Sequence, residues 1–270
     1  MLWAFAFLIT LLMAYYQHNS EPTNPVSGKV KIGQEWVHYK LLQIHAGNEG
    51  ALVAINTKDT LLQGFIDYKP YKSSDSFSRI TMSRKDGLLQ GLLPHLPPAG
   101  KLTYRVVLQK GKKSYNLNEG KAVVLRYQSL VPVVVLFPNI FFMFISLLFA
   151  MRAALGALTS EGDHVTYLSG VVLFSLFLGG LILGPLVQKY AFGTSWGEWY
   201  FGHDMTPYKT LLMFGFWLVA WLKLRKDSMH KFWILVAALV MIGVYVIPHY
   251  TWGPEIASTQ TQQKQIHQLK

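Results

Sequence analysis

The sequence contains no cysteine. That absence excludes thiolate metal sites, iron–sulfur clusters, thiol–disulfide relays, covalent c-type haem attachment and a lipoprotein anchor. It leaves the compartment open, because a chain without cysteine survives in either redox environment. Charge is scarce too: 14% of the 270 residues are charged, where a soluble domain carries about a quarter. Acids are the scarcer sign, 14 against 25 Lys and Arg, for a formal net charge of +11. Four stretches (131–151, 165–188, 210–222 and 232–253) have no Asp, Glu, Lys or Arg at all. None of them carries a chain of carboxylates or a broken-helix pair, so ion-coupled transport has no visible machinery.

The chain is nonetheless two materials joined together. Residues 17–130 hold 16 Lys/Arg and 8 Asp/Glu, a net +8, while the other 156 residues hold 9 and 6 and are the apolar part. Residues 1–16 are apolar and uncharged, which suits a signal anchor or a signal peptide. A Pro-, Ser- and Asn-containing linker follows at 17–28.

Residues 29–128 read as about seven short strands, such as Trp36-Val37-His38-Tyr39 and Leu102-Thr103-Tyr104-Arg105-Val106. Turn signals separate them, among them Lys85-Asp86-Gly87 and Pro97-Pro98-Ala99-Gly100. The pattern predicts a small antiparallel β-sandwich. The run from Leu93-Pro94 through Leu96-Pro97-Pro98 to Tyr104 resembles the approach to the penultimate strand of fibronectin type III-like domains, a resemblance that covers one hairpin.

Beyond residue 130 the expected elements are four membrane helices, at about 131–151, 165–188, 207–224 and 232–249, within 131–250. A polar tail at 251–270 ends the chain. Lys223, Arg225, Lys226 and Lys231 stand against Asp227 alone in one short loop, which assigns that loop to the cytoplasm. The β-sandwich, the segment around 189–208 and the C-terminus then face outward. Long folded segments cross regardless of their charge, so the basic sandwich does not contradict this. Most of the positive charge faces away from the cytoplasm and argues for no nucleic acid. The fold class expected is therefore a membrane α-helical bundle plus an all-β antiparallel extracytoplasmic domain. This overall layout resembles that of bacterial membrane proteins with a fibronectin III or Ig-like domain and a four-helix membrane bundle.

Chemistry-bearing residues gather in the outer segment that contains Trp196, Glu198, Trp199, His203 and Asp204. Aromatic faces there suit an interface belt, or a platform for a flat apolar cofactor with His203 as an axial nitrogen. Trp196-Gly197-Glu198-Trp199, then Asp204, Pro207 and Trp217, resembles in order the tryptophan-rich motif of the haem-handling proteins of cytochrome c assembly. It lacks the third Trp, and Met205-Thr206 separates Asp204 from the proline. The resemblance implies a haem platform, for haem b, and His249, on the same outer side by the orientation above, is the candidate second ligand.

Glu198, His203 and Asp204 form an alternative oxygen/nitrogen metal set. Gly193-Thr194-Ser195-Trp196-Gly197 spells the G-x-S-x-G pattern of a serine nucleophile, without the strand that pattern requires before it. Within the spans, Gly180 and Gly184 form a small-xxx-small patch for close helix approach, and Asn139 is a mid-span polar group suited to an interhelical hydrogen bond. The leading expectation is a non-enzymatic assembly or scaffold component that binds an extracytoplasmic protein or other membrane subunits. The alternative is a haem-binding membrane protein.

Overall fold

A computed structural model describes residues 1–20, 24–159, 164–193, 206–226 and 231–247. They divide into a β unit, over 24–130, and a helical unit drawn from 1–20 and 131–247.

The β unit holds eleven strands among the described residues: β1 (Val26–Ile32), β2 (Glu35–Leu41), β3 (Ile44–Ala46), β4 (Leu52–Asn56), β5 (Gln63–Pro70), β6 (Ser78–Thr81), β7 (Ser83–Lys85), β8 (Leu88–Leu92), β9 (Lys101–Lys110), β10 (Lys113–Asn116) and β11 (Val123–Gln128). One sheet has the order β3-β11-β9-β5-β6 with β10 also on β9; a second has the order β4-β8-β7; β1 and β2 form a hairpin. The expectation of about seven strands is corrected upward, because three- and four-residue strands are too short to show an alternation. A wholly antiparallel arrangement is corrected as well: β3 runs parallel to β11, with Arg126 opposite Ile44. The other paired strands are antiparallel.

Local chemistry explains the register. Asp86 and Gly87 both have positive φ, 51° and 76°, and they join β7 to β8 with Lys85 opposite Leu88. A two-residue turn of this kind needs φ > 0 at both positions, which the Asp-Gly pair supplies. Strand β9 alternates strictly, burying Leu102, Tyr104, Val106 and Leu108. These pack in one apolar core with Val53 and Ile55 of β4, Leu89 of β8, and Val37 and Leu41 of β2. Each such aliphatic side chain contributes about 1.5–3 kcal/mol by leaving water.

Two tyrosines tie the core to irregular backbone. Tyr104 donates its hydroxyl to the Leu42 carbonyl at 2.9 Å, and Tyr127 donates to that of Pro94 at 2.8 Å. Burial raises both phenols, that of Tyr127 to about 12, so both remain donors at neutral pH. Tyr104→Phe should leave the Leu42 carbonyl without this donor and cost about 1–2 kcal/mol. Thermal unfolding would register that loss as a lower midpoint.

The helical unit contains α1 (Leu2–Ser20), α2 (Val133–Leu158), α3 (Val165–Ser175), a π-helical segment Leu176–Leu183 running into α4 (Gly184–Phe192), α5 (Thr206–Lys226) and α6 (Phe232–Val246). Among the described residues, two helices are long and apolar enough to cross a membrane: Val133–Leu158, with mean hydropathy 2.5, and the continuous Val165–Phe192, with 2.3. The expected boundaries shift in ways the residues explain. Helix α2 runs beyond 151 because Ala153, Ala154, Leu155, Ala157 and Leu158 are strong helix formers. Helix α6 stops short of 249, with Ile247 extended at ψ 114°, because Pro248 follows it. The helix begun in the apolar 1–16 stretch continues to Ser20.

Small and apolar side chains build the helical core: Ala150 and Ala153 of α2, Val172 of α3, Trp217 and Ala220 of α5, Ala237, Ala238 and Met241 of α6. Helix α1 joins that core through Ala6, with Trp3 edge-on to Phe149 at 5.2 Å between ring centroids and Phe7 to Phe144 at 6.3 Å. Large apolar side chains elsewhere on these helices stay exposed, among them Val134, Phe137, Phe174 and Leu239.

Candidate functional site

Trp196, Glu198, Trp199, His203, Asp204 and His249, with Ser195, lie outside the described residues. Their flanks are described, and one contact links two of them. Lys209, in the first turn of α5 and nearly buried, donates Nζ to the Ile247 carbonyl just past the end of α6, at 3.1 Å. A helix C-terminus presents unpaired carbonyls and partial negative charge, so a lysine is a matched partner there. The start of α5 and the end of α6 are thereby fastened together. The chain leads back from the first to Asp204 and His203, and forward from the second to His249. Sequence reasoning missed Lys209; the available signal was a single cation near the head of an otherwise apolar span. Lys209→Met should loosen this fastening and raise amide exchange in the last turn of α6, which hydrogen-exchange mass spectrometry would measure.

The second group lies within the helices. Asn139 of α2 donates Nδ2 to the Gly179 carbonyl at 2.7 Å, and the same carbonyl receives the Gly184 amide. That Gly184-to-Gly179 bond spans five residues, the π-helical pattern, directly before Pro185. A proline ring in a regular helix would clash with the carbonyl four residues earlier, and widening the turn relieves this. A side chain at Gly179 would meet Phe142 Cβ at 2.8 Å, and one at Gly180 would collide with Thr210 of α5. At Gly184 the nearest such atom is the Gly179 oxygen, at 3.6 Å. Close by, the Met143 carbonyl accepts from Ser146 at 2.7 Å and from Tyr245 at 3.3 Å. This seam links α2, the π segment, α5 and α6 by small residues and hydrogen bonds. Its chemistry is positional: neutral amides and hydroxyls that hold helices in register.

The β unit carries the charged chemistry. Asp67 of β5 is 3% exposed and sits opposite Arg79 of β6 on one side and Arg105 of β9 on the other. Arg79 donates to both carboxylate oxygens, at 2.7 and 3.1 Å, and Arg105 to one, at 3.1 Å. The hydrogen bonds from Arg79, then the one from Arg105, hold the Asp67 carboxyl below its ordinary range despite burial. A carboxylate so stabilised is a poor base, so the cluster is a cross-strand clamp. The guanidiniums stack on rings, Arg105 over Phe77 at 4.6 Å and Arg79 over Phe65 at 5.2 Å. Arg84 is likewise committed, donating to the carbonyls of Thr57 and Asp59. Lys110 pairs with Asp59.

Among the described residues, no three His, Asp or Glu side chains gather as a metal site. No protein-family model, curated protein or solved structure matches the chain.

Proposed function

We propose that the chain is a multi-pass protein of a bacterial cytoplasmic membrane. Its β unit is an immunoglobulin or fibronectin III-like domain on the extracytoplasmic side, which binds a protein partner or another membrane subunit without catalysing a reaction. The observation that carries the membrane reading is the exterior of the helical unit. Val134, Phe137, Phe174 and Leu239 are each at least 60% exposed, a surface that water disfavours and acyl chains accept. Lys223, Arg225 and Lys226 end α5, a basic cluster that supports a cytoplasmic side for that end. Helix α1, packed on α2 and contributing Ala6 to the core, is retained in this reading as a fifth span. The strand order, with β11-β9-β5-β6 in one sheet and β4-β8-β7 in the other, supports the Ig-like assignment.

Because the chain has no cysteine, single cysteines report topology directly. A cysteine placed after Lys270 should react with an impermeant maleimide from outside, and one at Arg225 should not; the reverse pattern overturns the orientation. Crosslinking from the β unit in native membranes should recover a protein neighbour. Failure to recover one sinks the scaffold role.

The Lys209–Ile247 contact favours a second reading. It fastens together the described ends nearest His203 and His249, as a haem held by the outer tryptophan-rich segment requires. That reading predicts a Soret band in protein purified after expression with ample haem, and its loss in His203→Ala. A colourless protein excludes stable binding.

A further inference from the structure

The hairpin of β1 and β2 has one face in the apolar core, through Ile32, Val37 and Leu41. The other face is set by the register: Ser27 opposite Lys40, Lys29 opposite His38, Lys31 opposite Trp36. All six side chains are exposed, and none is acidic. The hairpin's one acid, Glu35, is on the core-facing set and accepts the Lys58 amide. Among the described residues Lys29, Lys31 and Lys40 have no ion-pair partner, unlike Arg79, Arg105 and Lys110 of the same unit. Trp36 is 51% exposed, and Lys29 and Lys31 approach its ring at 5.1 and 6.0 Å. The half-exposed indole and the lysines beside it form an amphipathic basic face. It suits the headgroup layer of a bilayer, where the indole is partly desolvated and each ammonium meets a phosphate.

We propose that this face docks on anionic phospholipid headgroups of the membrane that carries the protein. The inference rests on the membrane reading above. Charge complementarity selects an anionic surface, and chain length selects the membrane over a distant partner. Five residues, 21–25, separate β1 from α1, and a chain of that length reaches at most about 20 Å. Four residues, 129–132, separate β11 from α2. A domain held by two such tethers meets the bilayer surface at high effective concentration, so three lysines suffice without a deep pocket.

The test uses the full chain in lipid nanodiscs. With no native cysteine, His38→Cys carries the only thiol and takes an environment-sensitive fluorophore on the proposed face. Emission should shift to the blue in discs doped with phosphatidylglycerol relative to phosphatidylcholine alone, and added salt should reverse the shift. Lys29→Gln/Lys31→Gln/Lys40→Gln, in the labelled background, should weaken the docking equilibrium about a hundredfold, at about a factor of five per lysine, and remove the shift. Identical emission in the two disc types overturns the proposal, as does a shift that survives the triple substitution. A shift produced equally by soluble heparin in uncharged discs assigns the face to soluble polyanions and overturns it too. Failure of the chain to enter discs overturns the membrane reading itself, an outcome visible by gel filtration before any emission is read.

Discussion

Gly179→Val should lower the thermal unfolding midpoint of the detergent-solubilised protein by several degrees, whereas Gly184→Ala should leave it unchanged or slightly raised. At Gly179 the first added carbon would stand 2.8 Å from Phe142 Cβ and 3.2 Å from the Met143 amide nitrogen. The second of these is backbone, so α2 itself must retreat. Overpacking of this kind costs about 1–3 kcal/mol. Retreat also stretches the 2.7 Å bond from Asn139 to the Gly179 carbonyl, and interhelical bonds in membrane proteins contribute about 0.6–1.7 kcal/mol. Gly184 has only ordinary contact at its Cβ position, and alanine improves a helix interior by up to about 1 kcal/mol. Equal midpoints for the two variants would show that the π segment does not set the helix spacing.

Asp67→Asn should destabilise the β unit at neutral pH by about 1–3 kcal/mol. The carboxylate is buried and accepts three charge-assisted bonds. The guanidiniums are 57% and 41% exposed, so water compensates them partly and the cost stays below that of a fully buried pair. The pH dependence has a definite sign. The Asp67 carboxyl is depressed in the folded state, chiefly by Arg79. Its contribution is therefore complete above the unfolded carboxylate range, about pH 4, and is lost as pH falls through the lower folded value. The gap between wild type and Asp67→Asn should close as pH falls below about 4. Hydrogen exchange of β5, β6 and β9 peptides across pH gives the measurement, and a gap unchanged at pH 3 would refute the clamp.

Local pattern carried much of the fold. Alternation along Leu102, Tyr104, Val106 and Leu108 marks β9 and its buried face, and Asp86-Gly87 marks a hairpin turn, because both depend on neighbours in sequence. The long apolar runs likewise mark α2 and the Val165–Phe192 helix. Short strands such as β3 were invisible, since three residues carry no period and their pairing is decided by a strand some eighty positions away. The candidate residues of 196–204 and His249 stood out by composition; Lys209, which fastens the described ends nearest them, did not.

By itself the sequence determined the scarcity and placement of charge: a basic, cysteine-free segment of strands and an apolar remainder with four long stretches free of charge. Tertiary structure decided what each charge faces. Arg79 and Arg105 are consumed by one buried carboxylate, while Lys29, Lys31 and Lys40 are left together without an acid. Net charge is a sum over residues, whereas electrostatic partnership depends on which side chains the strand register brings within hydrogen-bond distance. That register is a property of the folded sheet.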